Sequence, residues 1–160
     1  MSKRYFYTLI VLFFTSLYGC SSENIINSNV FDCSKTRSFE ELESGMINGE
    51  KSALVEFVTC RKNFDGANLG DLYRAAGLFT VVNPEEYLGI LNQQQVSQRE
   101  MPNFLIMLPL ETVDNFDNKK AVLRERLTRI NSVKPSPTKN TALNILEERL
   151  KQLSVLENEQ

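Results

Sequence analysis

The sequence predicts an all-α fold, a compact domain of about six or seven short helices arranged as antiparallel helical hairpins. Three observations carry that expectation. Apolar residues recur at spacings of three and four along most of the chain. Helix-start and helix-stop signals alternate at short intervals. No window of useful length alternates with the period of two that a half-buried strand requires. The runs at 79–82 (FTVV) and 104–108 (FLIML) are apolar enough for strands, but their neighbours keep helical spacing.

Ser38 and Glu41 form a capping box that opens the first helix. Phe39, Leu42 and Met46 follow on one face, and Asn48-Gly49 stops the segment. Ala53, Leu54, Phe57, Val58, Arg61 and Phe64 make the stripe of a second helix, ended by Asp65-Gly66, and Cys60 falls within it. Asn68 is the expected cap of a third helix carrying Leu69, Leu72, Tyr73, Ala76 and Phe79. Gly70 and Gly77 lie inside that helix, where each costs up to ~1 kcal/mol against alanine, so close helix contact is the reason expected for them. Asn83-Pro84-Glu85-Glu86 is the strongest start signal, with an N-cap asparagine, proline at the first helical position and acids beside the positive end of the helix dipole. Tyr87, Leu88 and Leu91 form the apolar face behind it.

Ser97 and Glu100 make a second capping box, opening a helix over 101–108 in which Pro102 is early enough to be tolerated and which Pro109 ends. A helix over 117–133 carries Ala121, Leu123, Leu127 and Ile130. Lys134-Pro135-Ser136-Pro137 breaks the chain, and a last helix over 138–156 aligns Ala142, Leu146, Leu150 and Leu153. The expected body is therefore 31–133, with the break and the C-terminal helix, 134–160, packed on it. The rhythm of paired helices resembles a HEAT-type solenoid in shape, without a residue-level repeat at a fixed period.

The first thirty residues have a different character. Lys3 and Arg4 precede an apolar run, YFYTLIVLFF, of about ten residues, half the length a spanning helix needs. A basic start, a short apolar stretch and a small residue before the cut describe a secretory signal peptide over 1–19. Leu17-Tyr18-Gly19-Cys20 resembles the lipobox of bacterial lipoproteins, although Tyr18 stands where a small residue is usual. The resemblance implies a diacylglyceryl group on the Cys20 thiol, cleavage before Cys20 and acylation, palmitate for example, of the new amine. Several acyl chains hold a protein durably, each methylene contributing about 0.8 kcal/mol. Ser21 rather than aspartate after the cysteine implies the outer membrane over the inner, with the domain facing the periplasm. Residues 20–30 then form the lipidated cysteine and a polar, flexible tether.

Once Cys20 carries lipid, Cys33 and Cys60 remain in a chain bound for an oxidising compartment. A disulfide between them is expected, and it would close a loop worth roughly 3.5 kcal/mol. Two separate buried thiols are the alternative. Removing 1–19 takes away Lys3 and Arg4 and no acid, which leaves 16 basic against 20 acidic residues. That balance does not suit nucleic acid, and no polybasic patch assists the lipid.

The chain contains no histidine. This removes the commonest general base, the Ser-His-Asp and Cys-His arrangements and the commonest transition-metal ligand. No phosphate loop, dinucleotide fingerprint, nucleophile elbow or Cys/His metal spacing occurs, so no catalytic residue, metal or cofactor is assigned. Glu85, Glu86 and Tyr87 read as helix-start acids with a core tyrosine. Asp114-Asn115-Phe116-Asp117-Asn118 offers oxygens, but Phe116 occupies a ligand position of a calcium loop and no glycine follows. Arg124, Arg126 and Arg129 read as a charged helix surface. Leu146, Leu150 and Leu153 are the candidate partner-binding stripe, with packing on the domain as the competing explanation. The expected function is a lipid-anchored, non-enzymatic interaction protein that holds or inhibits a periplasmic or outer-membrane partner. The alternatives are a cell-wall hydrolase using carboxylates and a structural lipoprotein without a fixed partner.

Overall fold

The computed structural model describes residues 31–159. The signal segment, Cys20 and the tether expected over 20–30 lie outside the described residues. Among those described there are seven α-helices and no strand: α1 (Phe39–Ile47), α2 (Lys51–Cys60), α3 (Gly66–Val82), α4 (Pro84–Gln93), α5 (Met101–Ile106), α6 (Phe116–Asn131) and α7 (Pro137–Asn158). Single 3-10 turns occupy Cys33–Lys35, Arg61–Asn63 and Leu110–Thr112. The all-α expectation and the helix count both hold.

Most boundaries follow the local chemistry. Both halves of the Ser38/Glu41 capping box form, and Gly49 takes a left-handed φ of +76° in the turn after α1, where a side chain would be strained. Asn83 caps α4, accepting from the Glu86 amide, with Pro84 in the first turn. Asn115 caps α6 by accepting from the Asn118 amide at 3.0 Å, so the 114–118 oxygens serve a helix start. Several boundaries differ from the sequence reading. α2 ends at Cys60, with a 3-10 turn over Arg61–Asn63 in place of its expected last turn, α6 stops at Asn131, and α7 runs Pro137–Asn158. α3 begins at Gly66 behind Asp65, placing Asn68 inside the helix, and α5 stops at Ile106, with Met107 already extended ahead of Pro109. The residue before a proline is pushed out of helical geometry, and the break spreads back by one residue.

α3 is the central element. Its buried residues, Leu72, Tyr73, Ala75, Ala76, Gly77, Phe79 and Thr80, cover a little over half of the helix circumference. α1, α4, α5 and α6 all pack against it. A solenoid would restrict each unit to its sequence neighbours, so the arrangement is a layered bundle and the HEAT-like likeness stops at the hairpins. Arg37, just before α1, bridges Glu50 at the start of α2 and Glu56 in its middle. The α6–α7 hairpin is antiparallel. At one end of the α6–α7 pair Lys120 meets Glu157, and at the other Lys139 reaches Asn131 and Val133.

The core contains an aromatic cluster between α2, α3 and α5. Phe57 and Tyr73 meet edge-on at 5.4 Å between centroids, and Tyr73 and Phe104 at 4.7 Å. Edge-to-face geometry of this kind adds about 1 kcal/mol per pair beyond area burial.

Candidate functional site

Cys33 and Cys60 are joined, with their Cα atoms 5.3 Å apart. The bridge fixes the entering chain to the last residue of α2. Asn63 adds a hydrogen bond to the Cys33 carbonyl at 2.5 Å.

The buried charges act on the scaffold. Glu56 accepts from the Arg37 amide at 2.7 Å and from its Nε at 2.8 Å. Arg61 holds Glu100 at 2.9 Å, tying the end of α2 to the turn before α5, and this contact keeps the Glu100 carboxyl below its ordinary range. Lys139 donates to the carbonyls of Asn131 at 2.7 Å and Val133 at 2.6 Å. Those oxygens lie where α6 ends and carbonyls lack helical partners, so Lys139 clips the Pro135/Pro137 break shut.

Arg126 departs most from the sequence reading. It is not on a charged surface. It is fully buried, while Arg129 is half exposed. Arg126 Nη1 donates to the Leu105 carbonyl at 2.7 Å and the Met107 carbonyl at 2.8 Å, and the Tyr87 hydroxyl donates to the Phe104 carbonyl at 2.7 Å. Together they satisfy the end of α5, which Pro109 prevents from continuing. A cation there also suits the negative end of the helix dipole. Burial pushes the Tyr87 phenol up and the Arg126 guanidinium down from their ordinary values. The guanidinium packs directly against Gly77, whose missing Cβ would sit 2.6 Å from Nη2. Close contact therefore explains Gly77, whereas a Cβ on Gly70 would make only ordinary contact with its own helix neighbour Arg74. The spacing did contain a signal for Arg126. It stands three residues after Leu123 and four before Ile130, both wholly buried.

The other candidates fall on separate parts of the surface and build no common site. Glu86 pairs with Lys51 at 2.6 Å, and Glu85 lies 3.7 Å from Lys134. Leu146 and Leu153 are buried and Leu150 is half-buried against the core. The α7 stripe is thus covered by its own domain, against α6, α5 and α4, and would meet a partner only if α7 left. Among the described residues no group of three or more His, Cys, Asp or Glu is placed to hold a metal ion, and no helix is long and apolar enough to cross a membrane.

Several shallow clefts lie on the described surface, one of about 430 Å³ on α7 edged by both acids and bases (Glu148, Glu159, Arg149, Lys151) and one of about 230 Å³ between α1, α3 and the Leu110 turn. In the smaller, Ile47, Ala75, Leu78, Pro109 and Leu110 supply the apolar lining, and Glu43, Asp71, Arg74 and Glu111 the charged edge. Drug-sized ligands occupy roughly 300–1,000 Å³ in enclosed pockets, so this shallow cleft fits a side chain or two rather than a small molecule. No family model matches the chain, and no curated protein or solved structure matches it.

Proposed function

We propose that this chain is a lipid-anchored, non-enzymatic interaction protein of the bacterial outer membrane, holding or inhibiting a partner in the periplasm. The observation that carries the reading is Leu17-Tyr18-Gly19-Cys20 directly after a short apolar segment with a basic start. Such a segment directs export, and a lipidated cysteine would leave the helical domain tethered beside the membrane. The Cys33–Cys60 pair supports the same address, because structural disulfides persist in oxidising compartments. The polar groups of the domain support a binding role over a catalytic one. Lys139, Glu56 and the Nη1 of Arg126 are engaged in capping helices and clipping turns, while Arg126 Nε and Nη2 are buried without a partner among the described residues, and histidine is missing from the sequence.

The test is metabolic labelling with a palmitate analogue, followed by cross-linking in intact envelopes. Wild-type protein takes the label, Cys20→Ala does not, and one stoichiometric partner is retained on purification. Label surviving Cys20→Ala, or turnover of peptidoglycan by the purified protein, contradicts the reading.

A further inference from the structure

We infer that the cleft between α1, α3 and the Leu110 turn docks a short cationic amphipathic segment of a protein partner, one whose large apolar side chains are flanked by Lys or Arg. This rests on the interaction reading above and specifies which surface and which chemistry serve it.

Among the described residues five large hydrophobic side chains are exposed, and three of them gather at this end of the domain: Ile47 at 54 %, Val82 at 65 % and Leu110 at 59 %. Ile47 and Leu110 line the same cleft, with half-buried Leu78 between them. Val82 lies one turn beyond Leu78 on α3, and its methyl approaches to 3.6 Å the position a Cβ on Gly49 would take, two residues past Ile47. Single exposed apolar residues are ordinary, but a contiguous patch rimmed by polar groups marks an interaction site.

The rim selects the occupant. Glu43, Asp71 and Glu111 border the cleft, and its one cation, Arg74, is already paired with Asp71. Glu40, one turn before Glu43 on α1, extends the acidic edge. An anionic membrane surface or nucleic acid would be repelled. A second copy would bring the same acids face to face, and like-charge juxtaposition costs several kcal/mol. A basic segment with one or two leucine-sized side chains meets both the charge and the size of the cleft. The site also lies at the end of the α1–α2 hairpin opposite Cys60.

The experiment uses the full chain in nonionic detergent and two fluorescein-labelled helical peptides. One carries leucines a turn apart with lysines elsewhere, and its twin has glutamate for every lysine. Anisotropy titration should show the lysine peptide binding at least about tenfold more tightly than its twin, with affinity falling as salt rises. Leu110→Ser should weaken binding about tenfold, and the pair Glu43→Lys with Glu111→Lys should do the same. Val155→Ser, on α7, should change nothing. Equal binding of the twins, wild-type binding by the cleft variants, or no binding of the lysine peptide would overturn the inference. Photo-cross-linkers at Leu110 and at Val155 in intact envelopes separate this failure from that of the broader reading. An adduct at Val155 alone removes the cleft but keeps an interaction protein, whereas no adduct at either position removes both.

Discussion

The inward stripe of α7 and the α1/α3 end of the domain treat their apolar residues in opposite ways, although Val155 and Leu156 near the C-terminal end of α7 are themselves exposed. Along α7, Leu146 and Leu153 are covered completely, and the α6–α7 pair is clipped at both ends, by Lys139 on the α6 carbonyls and by Lys120 on Glu157. At the other end, Ile47, Val82 and Leu110 stay exposed although buried neighbours such as Leu42, Met46 and Phe79 lie on the same helices. Regular spacing alone does not distinguish a stripe that builds the fold from one that is left for a partner. The difference lies in what the rest of the chain lays over each face, and α7 has two polar clips that hold it in place.

The strongest way to break the comparison is to remove α7. Truncation after Val133 should abolish a cooperative thermal transition and produce strong binding of an apolar dye, because it uncovers Leu123, Ile130 and the α5 face together. Unchanged melting would mean that α7 is a detachable arm. Next in size is Gly77→Ala. The new methyl would fall within 2.6–2.9 Å of the Arg126 guanidinium. Displacing that group strands the carbonyls of Leu105 and Met107, and the expected loss is about 3 kcal/mol in denaturant unfolding. Lys139→Met should cost about 2 kcal/mol by the same measurement, since it leaves the ends of α6 without their donor while preserving the length of the side chain.

The smallest expected effect is electrostatic and sharpens the contrast between the two halves. Hydrogen bonds from Ser38 hold the Glu41 carboxyl below its ordinary value, Ser52 and then Arg37 do so for Glu50, and Arg61 does so for Glu100. A carboxyl whose folded pKa is depressed contributes stability above its ordinary value of 4.5, and that contribution is lost as pH falls through the folded value. Lys120 on α6 is raised by its hydrogen bond to Glu157, so its contribution is present below the ordinary value of 10.5 and is lost as pH rises through the folded one. Melting temperature should be flat near neutrality. Glu100→Gln should flatten only the acid limb and Lys120→Met only the alkaline limb.

Much of the fold was legible because helix ends are local. Ser38 with Glu41, and Asn83 with Pro84, write their backbone conformation into a few adjacent side chains, and both starts form where the spacing places them. Asn68 misled because a glycine beside Asp65 looks like a stop, yet α3 begins at Gly66 with Asp65 extended behind it. Disulfide pairing was legible once Cys20 was set aside, since two cysteines leave one partner choice. The proposed docking surface was not legible in the same way. Arg126 sits on the Leu123/Ile130 face, but no rule of spacing says that the carbonyls of residues 105 and 107 come to meet it. Ile47 and Leu110 are 63 residues apart in sequence, and only the packing of α1 against α3, with the 109–112 turn alongside, makes them one cleft.

The most direct test replaces one leucine from each region with serine. Leu146→Ser, in the covered stripe, should lower unfolding free energy by about 4 kcal/mol, since a cavity and a buried hydroxyl are both created. Leu110→Ser, at the open cleft, should stay within about 0.5 kcal/mol of wild type. Similar losses at both positions, or a larger loss at Leu110, would contradict the division between a face spent on the fold and a face left for a partner.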